Sequence, residues 1–140
     1  MLKLIKWMLL ILFITIGLPI LFFALLFYLA AGGLCDNEIY AELLSPDNRY
    51  KAVIFQRDCG ATSGFSTQIS ILPAANTLAN ESGNIFVLKS HPQSHAPAIS
   101  WLSNTELLIN TPLDGSEIKA ESRFDSTENI RIRYAEMATD

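Results

Sequence analysis

The sequence predicts one N-terminal transmembrane helix followed by a small mainly-β domain, either an antiparallel sandwich or a curved meander of six to eight short strands. Three observations predict it. No charged residue occurs from Trp7 to Cys35, a run of 29 positions. Beyond it the apolar residues come in short alternating stretches, the pattern of half-buried strands. Turn-forming residues separate those stretches, and none after residue 35 sustains the 3.6-residue apolar period of a helix. The implied boundary puts a cytoplasmic stub and anchor at 1–34 and an extracytoplasmic β domain at 35–140.

As a helix the uncharged run reaches about 43 Å at roughly 1.5 Å per residue, against about 30 Å of bilayer hydrocarbon. Lipid offers the backbone no hydrogen bonds, so a lone segment crossing it must be helical. Gly17 and Pro19 are expected to kink that helix without breaking it. Three fates fit the segment: an uncleaved anchor, a lipoprotein signal modified at Cys35, or a cleaved signal peptide. Length favours the anchor, because the apolar part of a signal peptide runs to roughly 7–15 residues. The residues before Cys35, Gly32-Gly33-Leu34, match a lipidation site only in part. Lys3 and Lys6 precede the run while Asp36 and Glu38 follow it, so the positive-inside rule places the N-terminus in the cytoplasm and residues 36–140 outside, at the cell (inner) membrane facing the periplasm.

Charge then narrows the partners. The chain has 10 basic and 14 acidic side chains, and the two anchor lysines leave the domain with 8 − 14 = −6. Such a balance disfavours nucleic acid and anionic headgroups, so the expected partners are the bilayer around the anchor and an envelope protein or cell-wall component.

Both cysteines, Cys35 and Cys59, fall in the exported part, where an oxidising compartment lets a disulfide persist. A Cys35–Cys59 bridge is the structural expectation, stabilising by about 3 kcal/mol on the loop-entropy account. The chemical alternative is a thiol enzyme or redox site centred on Cys59, with Arg57, Asp58 and His91 or His95 nearby. His91 and His95 have the four-residue spacing that aims two rings at one metal on a helix. Here they stand in His-Pro-Gln-Ser-His-Ala-Pro, and two prolines argue for an exposed loop instead. No metal or other cofactor is expected.

Strands are expected near 39–44, 50–58, 65–72, 84–89, 98–102, 106–110, 117–122 and 128–134. In the last, Ile130, Ile132 and Tyr134 alternate with Asn129, Arg131 and Arg133, so one face is buried and the other wet. Ala52-Val53-Ile54-Phe55 is apolar on both faces, as a central strand covered on both sides requires. Ser45-Pro46-Asp47-Asn48 supplies the turn of a 39–58 hairpin, and Leu113-Asp114-Gly115-Ser116 a second tight turn. The connections 73–83 and 90–97 are expected on the surface. Trp101 reads as a packing residue.

Two fragments, Ser45-Pro46-Asp47-Asn48-Arg49-Tyr50-Lys51-Ala52-Val53 and Trp101-Leu102-Ser103-Asn104-Thr105-Glu106-Leu107, resemble hairpins of β-propeller blades. A domain of about 100 residues is too short for a whole propeller. Arg57-Asp58-Cys59-Gly60-Ala61-Thr62-Ser63-Gly64-Phe65-Ser66-Thr67-Gln68, following the first hairpin, resembles a group of uncharacterised bacterial membrane proteins and lipoproteins that share a domain of unknown function. That resemblance spans roughly residues 35–110, implies a bacterial envelope location and implies no mechanism.

The small-residue loop after β-strand 50–58 reads first as a tight connection tethered by the disulfide, and second as a possible ligand loop. Arg57, Asp58, Gly60, Thr62, Ser63 and Gly64 can bring backbone N–H groups close to an anion. The sequence shows no paired catalytic carboxylates in a recognisable motif, no phosphate loop, no Ser-His-Asp signature and no complete metal-ligand motif. The function expected is therefore a non-catalytic, membrane-anchored binding module, with the thiol enzyme and a small membrane subunit of a larger envelope complex as the alternatives.

Overall fold

The computed structural model describes residues 1–32, 35–60, 63–124 and 129–137. The chain forms two compact units, Met1–Leu34 and Cys35–Asp140.

The first unit is helical: α1 (Leu2–Leu12), a π-helical turn (Phe13–Gly17) and α2 (Leu18–Gly32). Pro19 has no N–H to give Thr15, and its ring crowds that carbonyl. Widening the turn just before it removes the conflict, and the Leu18 N–H reaches back to Phe13. The Phe13 ring lies over Gly17, where a Cβ would meet it at 3.0 Å. Leu2–Leu29 has a mean hydropathy of 2.9 with no side chain buried, and its length and composition suffice to cross a membrane.

The second unit has nine strands in two sheets among the described residues. Sheet A takes β1 (Asp36–Leu44), β2 (Tyr50–Asp58), β3 (Phe65–Pro73), β4 (Phe86–Leu88) and β7 (Glu117–Ala120), in that order and all antiparallel. Sheet B runs β5 (Ala98–Ser103), β6 (Glu106–Pro112), β9 (Ile130–Ala135), β8 (Arg123–Phe124). The expected mainly-β domain is thus a two-sheet arrangement, with one strand beyond the expected six to eight because Arg123–Phe124 pairs separately. It is also not wholly antiparallel: β6 and β9 run parallel. The chain leaves sheet B after β6 to lay β7 on sheet A, and returns before β9.

One apolar cluster joins the sheets. Ala52 and Ile54 of β2, Ile69 and Ile71 of β3 and Phe86 of β4 share it with Leu107, Ile109, Ile130 and Ile132 of sheet B. At about 25 cal/mol per Å2 this burial is the main stabilising term. The alternation in β9 puts Ile130 and Ile132 inside and leaves Arg131 and Arg133 exposed. Tyr134 is half-buried against Phe86, rings 6.1 Å apart, and donates to the Glu121 carbonyl at 2.8 Å.

The other face of sheet A is covered by the connection 74–84, so this segment is more than a surface loop. Gln68, buried in β3, accepts from Ser82 Oγ and the Gly83 N–H and donates to Ser66. The Asn84 side chain pairs with Ile71 as a strand would, accepting from its N–H at 2.9 Å and donating to its carbonyl at 2.8 Å. Val53 and Phe55, facing this cover, are fully buried, as a central strand requires.

Candidate functional site

The β1–β2 hairpin organises the features that carry chemistry. At its turn end, Ser45 is buried and Asn48 takes φ 58°, a conformation Asn tolerates. The Asn48 N–H closes the turn on the Ser45 carbonyl at 2.9 Å. Ser45 Oγ donates to Asp47 at 2.7 Å and accepts from the Tyr50 N–H at 3.0 Å. Arg49 Nε donates to Asp47 at 2.8 Å. Bonds from Arg49 and then Ser45 hold the Asp47 carboxyl at about 2, well below the usual range.

At the opposite end Asp36 pairs with Asp58, which brings the next residues outward, Cys35 and Cys59, together in a disulfide. The bond leaves no free cysteine among the described residues, and Cys59 has no thiolate to offer in this state. Arg57 points to the outer face of sheet A, donating to Asn37 Oδ1 at 2.7 Å and Asn80 Oδ1 at 3.0 Å. Asn80 in turn donates to the Cys35 carbonyl at 2.6 Å. This polar seam fastens the connection 74–84 to the start of the domain.

The expected ligand loop is brought together only in part. Asp58 accepts the Gly60 N–H at 2.9 Å, and the Ser63 N–H bonds back to the Gly60 carbonyl at 3.1 Å. Two donors that an anion nest would use are thus engaged locally, and Arg57 is committed to the two asparagines. Gly60 and Gly64 take φ 91° and 67°, which explains the glycines without a ligand. Thr62 lies outside the described residues.

The histidines are also separated in role. Pro92–His95 forms one helical turn, α3, where an irregular loop was expected. Pro92 occupies the first helical position, where its missing N–H costs nothing, and Pro97 lies beyond the end. His91 caps the turn, Nδ1 accepting from the Gln93 N–H, and its ring stacks edge-on against Phe65 at 5.3 Å. His95 is exposed and lines a polar hollow with Lys89, Asp114 and Glu117. Among the described residues no three His, Cys, Asp or Glu side chains converge as metal ligands would.

The feature that sequence reasoning missed is a trough between β1 and the α3–β5 segment. Two hollows of about 450 and 160 Å3 share Tyr40, Pro92 and Gln93 as walls. Leu43 and Ile99 line the larger, Glu38 and Phe65 the smaller. β1 is an edge strand of sheet A, and Ile39, Tyr40 and Leu44 on it are about half exposed. Two caps shield its edge: Trp101 Nε1 donates to the Leu43 carbonyl at 3.1 Å, and the Asn37 N–H goes to Asp36. A bulge at Tyr40 breaks the strand between them. The walls come mainly from β1 and from residues 91–99, about fifty positions apart in the chain, so nothing local in the sequence marks the trough.

The model of a family of unknown function, DUF5412, matches residues 2–125, and the chain belongs to that family. No curated protein and no solved structure matches it.

Proposed function

We propose that this chain is a non-catalytic binding module of the bacterial envelope, anchored in the membrane by Leu2–Gly32 with residues 36–140 outside the cytoplasm. The anchor reading is supported by an apolar helix long enough to span a bilayer and by Lys3 and Lys6 before it. The Cys35–Cys59 disulfide supports an oxidising compartment. The observation that carries the binding reading is the trough along β1, where Tyr40 and Leu43 offer apolar surface beside Glu38. An edge strand with a side-chain groove suits an extended segment of another envelope protein, held by apolar side chains and partly by backbone bonds.

A photo-reactive amino acid placed at Tyr40 of the full chain in cells tests the binding reading. It should give one recurrent adduct, absent when the probe sits at Asn104. An excess of unlabelled wild-type chain should suppress the adduct, and a Tyr40→Ser/Leu43→Ser chain should not. Equal adducts from both positions would remove the trough as the binding surface. A reporter fused after Asp140 that is active only in the cytoplasm would remove the compartment.

A further inference from the structure

The outer face of sheet B carries a basic island in an otherwise acidic domain. Arg123 of β8 is the direct register partner of Arg131 of β9, and Arg133 stands two residues further along the same face. All three are exposed. Directly opposed residues on antiparallel strands have Cβ atoms about 4.5–5.5 Å apart. Residues two apart on a strand are separated by roughly 6.6 Å. Three guanidinium groups are therefore rooted within one small patch.

The neighbouring strand neutralises little of that charge. Glu106, paired with Arg131 in the register, lies 3.7 Å from Arg133 and is the one carboxylate in ion-pair range of the three arginines among the described residues. Leu108 and Ser100 continue the Arg133 row. Like charges placed directly opposite each other destabilise a sheet, and three of the domain's eight basic side chains are gathered here. The net charge of −6 conceals this distribution, because the steering field depends on where charge sits as well as on its sum.

We propose that Arg123, Arg131 and Arg133 form a binding site for phosphate groups presented in series on a polyanion. Planar guanidinium forks on adjacent strands match phosphate oxygens two at a time, which the ammonium of lysine does not. The site stands apart from the β1 trough and does not depend on which side of a membrane the domain occupies.

The test uses the full chain in a non-ionic detergent with fluorescein-labelled inorganic polyphosphate, read by anisotropy. Three neutralised phosphates imply a salt slope near −2, so affinity should fall roughly 15-fold between 50 and 200 mM salt. Arg131→Gln/Arg133→Gln should weaken binding at least about tenfold. Arg131→Lys/Arg133→Lys should recover part of the loss, and Lys51→Gln/Lys89→Gln, which removes the same charge elsewhere, should change it little. An unaltered circular-dichroism spectrum and melting midpoint in each variant ties the effect to the site. Competition by mixed micelles containing phosphatidylglycerol, but not phosphatidylcholine, identifies a lipid surface as the source of the phosphates. Without that competition the ligand is a free phosphate polymer. Absence of polyphosphate binding at 50 mM salt overturns the assignment, as does wild-type affinity in the Gln pair or equal binding of polyglutamate.

Discussion

Replacing Cys35 and Cys59 together by serine removes a covalent closure of 24 residues in sequence separation. The chain-entropy relation gives a loss of about 3.5 kcal/mol at 25 °C for a loop of that size. For a domain of this length that corresponds to a fall in midpoint of roughly 10–20 °C. The topology says where the loss is felt. β1 pairs only with β2, and at the open end of that hairpin the bridge is the covalent closure, beside the Asn80–Cys35 bond and the bonds of Asn37 to Arg57, Ala79 and Glu81. Amide exchange should therefore accelerate first at Asn37–Ile39, while β3 and β6 keep their protection until global unfolding. The assay is urea unfolding of the full chain in non-ionic detergent, in a Trp7→Phe background that leaves Trp101 as the emitting indole. Its N–H bond to the Leu43 carbonyl makes it a reporter of β1. A midpoint shift below about 3 °C, with unchanged exchange at β1, would refute both the loop-entropy argument and the role given to the bridge.

Phe86 is fully buried at the centre of the shared core, and Phe86→Ala should cost about 3–5 kcal/mol in urea unfolding of the same chain. Gly83→Ala should destabilise by roughly 1–3 kcal/mol, since its Cβ would meet the Phe86 carbonyl at 2.8 Å and the Ile69 carbonyl at 3.0 Å, and backbone cannot step aside. The lowered Asp47 pKa means its turn bonds stabilise the fold above the ordinary carboxylate pKa and are lost as pH falls towards about 2. Acid titration of Asp47→Asn should lack that part of the transition. Burial, then the charges of Glu121 and Glu117, push the Tyr134 hydroxyl up. Its contribution is complete below pH 10 and declines above it, because the unfolded phenol ionises first. A Tyr134→Phe chain should show a shallower alkaline decline in melting temperature than wild type.

How much was legible follows from how local each signal is. The uncharged run, the Ser45–Asn48 turn and the Ile130/Ile132/Tyr134 alternation are written in neighbouring residues, and the helix, the β1–β2 hairpin and the buried face of β9 follow them. The commitment of Arg57 away from the candidate loop is not legible locally, because one of its partners, Asn80, lies 23 residues away in a connection that looks merely polar in sequence. The helical turn at Pro92 is hidden because proline reads locally as a helix breaker, whereas Pro92 starts the turn and Pro97 follows its end.

The primary sequence alone determined an apolar helix and a β domain, since hydrophobic length and two-residue alternation are properties of adjacent side chains. Tertiary structure decided that β6 and β9 run parallel, that 74–84 seals a sheet, that β1 stands at an edge beside a trough, and that three arginines share one face. These depend on which strands become neighbours. That choice is set by burying one common core between two sheets, a sum over residues far apart in the chain that no local window contains.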